Sequence, residues 1–129
     1  MEQDAFISEL SLLAKQLDLD FIILFGSRAT SQFSQNSDYD IAYFKSHQTR
    51  EERKKIYNSF QEVFKDTKFD CVDVSQDIEP RLLFDIFYKG KILYLKDKKM
   101  FDTFKDKVLF YYQDSKRLFE PYRKHYLQV

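Results

Sequence analysis

Glycine is nearly absent from this 129-residue chain, occurring only as Gly26 and Gly90. Where so few are used, the one inside the pair Gly26-Ser27 has a backbone task, either turn geometry or close approach to a ligand. Cysteine is scarcer still. Cys71 stands alone, which excludes an internal disulfide and suits a reducing compartment. With no histidine near it in sequence, it reads as a small core residue rather than a nucleophile. The only histidines, His47 and His125, have no partners at zinc-ligand spacing. Net charge is missing as well: 21 Lys and Arg balance 21 Asp and Glu, so no global field draws the chain to nucleic acid or a membrane. The mixed-sign runs at 50–55 and 96–99 read as solvated helix faces. No stretch approaches the ~20 apolar residues that span a bilayer. The acidic start, Met1-Glu2-Gln3-Asp4, lacks the basic residues of a signal peptide. A cytoplasmic protein is expected.

Aromatic residues, by contrast, are plentiful: 14 Phe and 9 Tyr with no Trp, or 18% of the chain. Hydrophobic residues make up 43% and charged residues 33%, an ordinary soluble balance, and 129 residues fit one domain spanning the whole chain. Phe6, Leu10, Leu13 and Leu17 form one stripe of a helix over residues 4–18. Residues 21–25 (Phe-Ile-Ile-Leu-Phe) follow as a continuous apolar strand, a pattern that belongs to a central strand covered on both faces. A short helix is expected from about residue 27, and a second strand over 38–44. Ile56, Phe60, Val63 and Phe64 mark a helix over 50–65, and residues 69–74 a third strand. Asp77 is the expected cap of a helix ending near Lys89, with Gly90 as its stop. Residues 91–95 suggest a fourth strand. A long helix over about 97–126 closes the chain, with a bend expected near Pro121. The alternation implies an α/β (α+β) domain with a small mixed sheet of three to four strands and helices largely on one face.

Chemistry concentrates where the first strand ends. Gly26-Ser27 is followed by ten residues and then Asp38-Tyr39-Asp40. A turn opening a helix offers unpaired N–H groups and partial positive charge to a phosphate. Gly26 permits close approach and the Ser27 hydroxyl can donate, while Arg28 either adds charge or faces solvent. Asp38 and Asp40 lie two residues apart on a strand and project to one side. Paired carboxylates suit Mg²⁺, a hard ion that shares its shell with substrate phosphates. A further acid from the neighbouring strand is needed, and Asp73, set among apolar residues, is the best candidate. Asp70 lies on the opposite face of that strand, and a one-residue register slip would exchange their roles.

The pattern Gly-Ser, ten residues, Asp-x-Asp resembles the signature of nucleotidyltransferases of the DNA polymerase β-like superfamily. The shortness of the chain resembles the minimal nucleotidyltransferases, many of which are antitoxins paired with a HEPN-domain ribonuclease toxin. That resemblance covers residues 24–74 and reaches the C-terminal half only loosely. It implies a nucleotidyltransferase-like palm, with Gly26, Ser27 and Arg28 near the nucleotide and Asp38, Asp40 and Asp73 as metal-binding and catalytic residues. Asp73 would be metal ligand or general base. The implied activity is Mg²⁺-dependent transfer of AMP from ATP to a tyrosine of a HEPN partner. Two alternatives stand beside it: a non-catalytic binding antitoxin, and adenylyl transfer to a small hydroxyl acceptor such as an aminoglycoside.

Phe110, Tyr111, Tyr112, Phe119, Tyr122 and Tyr126 are too many for one helical stripe. Some pack back on the domain, and the surplus suggests a protein interface and a hetero-oligomer.

Overall fold

The computed structural model describes residues 2–30 and 37–126, with side chains over 4–30 and 37–115. Nine elements follow in order: α1 (Glu2–Gln16), β1 (Phe21–Phe25), a 3-10 turn (Gly26–Ala29), β2 (Tyr39–Phe44), α2 (Arg50–Phe64), β3 (Phe69–Asp73), α3 (Pro80–Lys89), β4 (Lys91–Leu95) and α4 (Lys98–Tyr126). The four strands form one mixed sheet in the order β3-β2-β1-β4. β1 is antiparallel to both β2 and β4, whereas β3 runs parallel to β2.

The apolar run of β1 forces two cores. Ile22 and Leu24 point to one face, where α1 and α2 bury Leu10, Ala14, Ile56, Phe60 and Phe64 against Tyr39, Ile41 and Tyr43. Phe21 and Ile23 point to the other, against Leu83, Ile86 and Phe87 of α3 and Phe101 and Val108 of α4. The helices thus divide two and two, rather than gathering largely on one face. A strand apolar on both sides exposes hydrophobic surface unless both sides are covered.

Much of the phenylalanine is accounted for in the second core. The Phe21 ring meets Phe44, Phe87 and Phe101 with centroids 5.5, 5.5 and 5.2 Å away, mostly edge to face.

Helix ends are set by particular residues. Thr49 caps α2, its hydroxyl accepting from the Glu52 N–H at 3.1 Å. Asp77 does not cap α3: Glu79 holds that position and Pro80 is the first helical residue. Proline favours that first position, because its fixed φ suits the helix and the N–H it lacks would have no helical partner there. Gly90 does end α3, though not through left-handed geometry, since its φ is −76°. A side-chain carbon there would collide with the Ile86 carbonyl and Ile23. The glycine lets the helix end close against β1.

Candidate active site

β1 delivers the Gly-Ser pair beside the carboxylates. Phe25, its last residue, pairs with Asp40 on β2, so the turn that follows starts next to that carboxyl group. Gly26 has a φ of +71°, in the region that favours glycine. A side-chain carbon at 26 would also collide with the Asp40 carboxylate. Both reasons for a glycine therefore apply. The helix expected from residue 27 is, among the described residues, a single 3-10 turn closed by the Thr30 N–H on the Ser27 carbonyl at 3.1 Å. Ser27 is exposed, and its hydroxyl makes no hydrogen bond among the described residues.

Asp38 is exposed just before β2 and Asp40 is half-buried within it. The third acid that the fold brings to them is Asp70. In the parallel pairing of β2 with β3, Asp40 stands directly opposite Asp70, close enough for the charge of one carboxylate to act on the other. Burial raises the proton affinity of Asp40 above the ordinary carboxylate range, and the charges of Asp70 and Asp38 raise it further. Such a group favours either a proton or a cation between its oxygens.

Asp73 is not brought to this set. It pairs with Tyr43, three residues along the parallel ladder, and projects to the face covered by α1 and α2. Only 8% of its side chain is exposed, and donors surround it. Arg53 Nε and Gln48 Nε2 donate to Oδ2 at 3.0 and 2.9 Å, and the Ser75 N–H and hydroxyl donate to Oδ1 at 3.0 and 2.6 Å. The apolar setting that made this acid conspicuous is relieved by an ion pair with the protein's own arginine. Asp70 shares a face with Val72 and Val74, which pack in the same core as Ala42 and Phe44, and it is the pairing with β2, not a local signal, that singles it out. A cleft of about 360 Å³ beside β3 belongs to the Asp73 face, lined by Tyr43, Arg53, Tyr57 and Cys71 among others. Burial and then the Asp73 charge hold the Cys71 thiol protonated, with a pKa of about 12, consistent with a core residue.

Arg28 does not face solvent. It is buried, with its guanidinium 4.3 Å from the Tyr39 ring centroid and Nε donating to the Ser37 carbonyl at 3.1 Å. It ties the residue after Ser27 to the residue before Asp38.

Among the described residues, no group of three or more His, Cys, Asp or Glu side chains is placed to hold a metal ion by itself. The donor set nevertheless fits Mg²⁺, which takes one or two carboxylates and completes its shell with water and substrate phosphate.

The polymerase beta, nucleotidyltransferase family matches residues 10–99 of the sequence. The chain belongs to that family. No curated protein matches it. Among solved structures, a toxin-antitoxin with AMP-PNP contains a chain similar to this one at TM-score 0.77 and 21% identity, covering 94% of this chain and 98% of that one. The tri-AMPylated Shewanella oneidensis HEPN toxin in complex with MNT antitoxin gives 0.74 and 20%, covering 98% and 99%. The toxin-antitoxin MntA-HepT gives 0.72 and 20%, covering 95% and 97%. At these identities the likeness is one of fold.

In α4, Tyr112 stacks on Phe84 with ring centroids 4.5 Å apart, while Phe110 and Tyr111 are 72% and 44% exposed. The expected surplus of aromatics is real at those two positions. The side chains of Phe119, Tyr122 and Tyr126 lie outside the described residues. No described helix is long and apolar enough to cross a membrane.

Proposed function

We propose that this chain, acting as one palm domain, is a Mg²⁺-dependent nucleotidyltransferase that moves AMP from ATP to a tyrosine hydroxyl of a HEPN-domain partner and thereby neutralises it. The observation that carries the reading is the junction of the Gly26-Ser27 turn with Asp38, Asp40 and Asp70. Family membership supports nucleotidyl transfer. The AMP-PNP complex and the tri-AMPylated HEPN complex of similar fold support ATP and a HEPN partner.

In this reading the exposed Ser27 hydroxyl and the backbone around Gly26 bind the triphosphate, and Arg28 holds their turn in shape rather than touching phosphate. Asp38 and Asp40 would hold Mg²⁺. Bound there, the ion would neutralise phosphate charge and draw the reacting oxygens into line. Asp70 takes the part first expected of Asp73, accepting the tyrosine proton directly or completing the metal site. The tyrosine oxygen bonds to the α-phosphorus, the bond from that phosphorus to the β-bridging oxygen breaks, and pyrophosphate leaves. The added group is bulky and negatively charged, chemistry that opposes RNA binding by the partner. A cytoplasmic location fits these substrates.

The test is incubation with α-labelled ATP, Mg²⁺ and the product of the adjacent gene, followed by intact mass. Label on the partner is expected, with loss on Asp38→Asn/Asp40→Asn and on Asp70→Asn, and retention of measurable transfer on Asp73→Asn. A stable complex without label would instead establish a binding antitoxin, and label only on small hydroxyl acceptors would move the substrate class.

A further inference from the structure

Asp73 is a buried charge in a strand whose other buried side chains are apolar, and the candidate chemistry leaves it unused. Its position suggests what it does. β3 is five residues long and, among the described residues, lies at the end of the sheet and is hydrogen-bonded to β2 alone. Such a strand has little to fix its register except the fit of its two faces.

That fit excludes only some errors. A slip of one residue would turn Phe69 and Cys71 away from the α1–α2 core, where they pack, and is resisted by their burial. A slip of two residues is different. It keeps each side chain on its own face, yet it moves Asp70 from its place opposite Asp40 and brings Lys68 or Val72 there instead. Alternation alone carries no penalty against it.

We infer that Asp73 is a positioning residue that forbids this second slip and so holds Asp70 opposite Asp40. The inference rests on the nucleotidyl-transfer reading only for its consequence in catalysis. Asp73 engages three pieces of chain besides its own strand: Gln48 in the β2–α2 loop, Arg53 on α2 and Tyr43 on β2. Ser75, in the turn after the strand, closes the carboxylate's other oxygen with two donors. The Tyr43 hydroxyl in turn donates to Gln48 Oε1 at 3.3 Å, which fixes the amide that donates to Asp73. A two-residue slip translates Asp73 by about 6.6 Å, beyond hydrogen-bond reach of Gln48 and Arg53. The bonds are directional and fail abruptly with distance, which burial of apolar surface does not. A charge in this place specifies one alignment out of the set that the apolar pattern accepts.

The clamp also connects the two faces of β3. Asp70 faces the candidate active site and Asp73 the α2 side, three residues and about 10 Å apart along one short strand. Fixing one fixes the other.

The experiment measures register and metal affinity separately from turnover. Cross-strand nuclear Overhauser contacts between Ile41 and Cys71, and amide exchange at Val72 and Val74, report the register. Mn²⁺ binding by electron paramagnetic resonance with a non-hydrolysable ATP analogue reports the carboxylate set. Asp73→Ala, studied well below its own melting temperature, is expected to lose the Ile41–Cys71 contacts and weaken Mn²⁺ binding at least tenfold. Adding Asp70→Ala to it should weaken Mn²⁺ no further than Asp70→Ala alone. Arg53→Met should give a smaller loss of the same kind, which Arg53→Lys partly restores, and these variants serve if Asp73→Ala does not fold. Intact contacts and unchanged Mn²⁺ affinity in folded variants with lowered melting temperature would overturn the proposal, leaving Asp73 as a stability residue. Multiplying losses for Asp70→Ala and Asp73→Ala would overturn it too. Failure of wild-type AMP transfer alongside a register lost on Asp73→Ala would sink the enzymatic reading and leave the positioning role standing.

Discussion

Asp40 and Asp70 stand opposite each other on parallel strands, and the negative charge of Asp70 adds to burial in raising the proton affinity of Asp40. Two carboxylates in that relation repel each other, and a cation between them relieves the repulsion. The Gly26 turn closes on the same pair from β1, because a glycine alone fits against the Asp40 carboxylate. Strand pairing thus gathers residues distant in sequence into one polar site at the end of the sheet.

The first consequence concerns pH. The proton affinity of Asp40 is raised in the folded state by burial and by its two acidic neighbours. A raised carboxyl favours folding while it is protonated, below its unfolded value of about 3.9, and that contribution is lost as pH rises through the folded value. In chelator at about pH 7.5, Asp40→Asn should therefore melt a few degrees higher than wild type, on the order of 1 kcal/mol or less for a half-buried group. The difference should close near pH ~4. Mg²⁺ with ATP should stabilise wild type and not the variant. Thermal melts at both pH values check the sign.

Gly26→Ala should fail for two independent reasons. Its φ of +71° costs any other residue about 1–2 kcal/mol, and the new methyl would push on the Asp40 carboxylate. The expected result is a modest loss of stability and a loss of transfer out of proportion to it, about 100-fold or more, since small misplacements of reacting groups carry such penalties. Calorimetry beside a labelled-AMP assay separates the two.

These residues also show what the sequence could and could not say. All of residues 21–25 are apolar, and that was enough to place β1 and to require cover on both faces. The spacing of Gly26-Ser27 to Asp38 and Asp40 was local and legible. The choice between Asp70 and Asp73 was not, because either parity satisfies a strand taken by itself, and only pairing with β2 puts Asp70 beside Asp40. Asp77 looked like a cap by residue type, yet Pro80 fixed the helix start three residues later. The burial of Arg28 had no local signal, since its partner ring, Tyr39, lies 11 residues onward in the chain.

Scarce glycine leaves one place open to improvement. Lys65 ends α2 with φ +54° and ψ −113°, a conformation that disfavours a side chain, while its N–H still closes on the Gln61 carbonyl at 2.7 Å. Lys65→Gly should relieve strain and raise stability by about 1 kcal/mol. Transfer activity should be largely unchanged, because Lys65 is exposed and supplies no group to the Asp38, Asp40 and Asp70 set. A denaturant midpoint that falls would mean that the unfolded chain gains more entropy than the turn loses strain.

Arg28 makes the sharpest distinction between binding a phosphate and shaping the loop that does. A phosphate ligand keeps much of its role as lysine, because charge is what matters. A residue stacked on Tyr39 and donating from Nε to the Ser37 carbonyl depends on the flat guanidinium, which lysine lacks. Arg28→Lys should therefore resemble Arg28→Met, each losing about 1–2 kcal/mol of stability from the stacked, desolvated cation and its hydrogen bond. Affinity for ATP should fall to a similar degree in both, as the turn carrying Ser27 loosens. Rescue by lysine, with ATP affinity near wild type, would return Arg28 to the nucleotide and show that the guanidinium leaves Tyr39 when ATP binds.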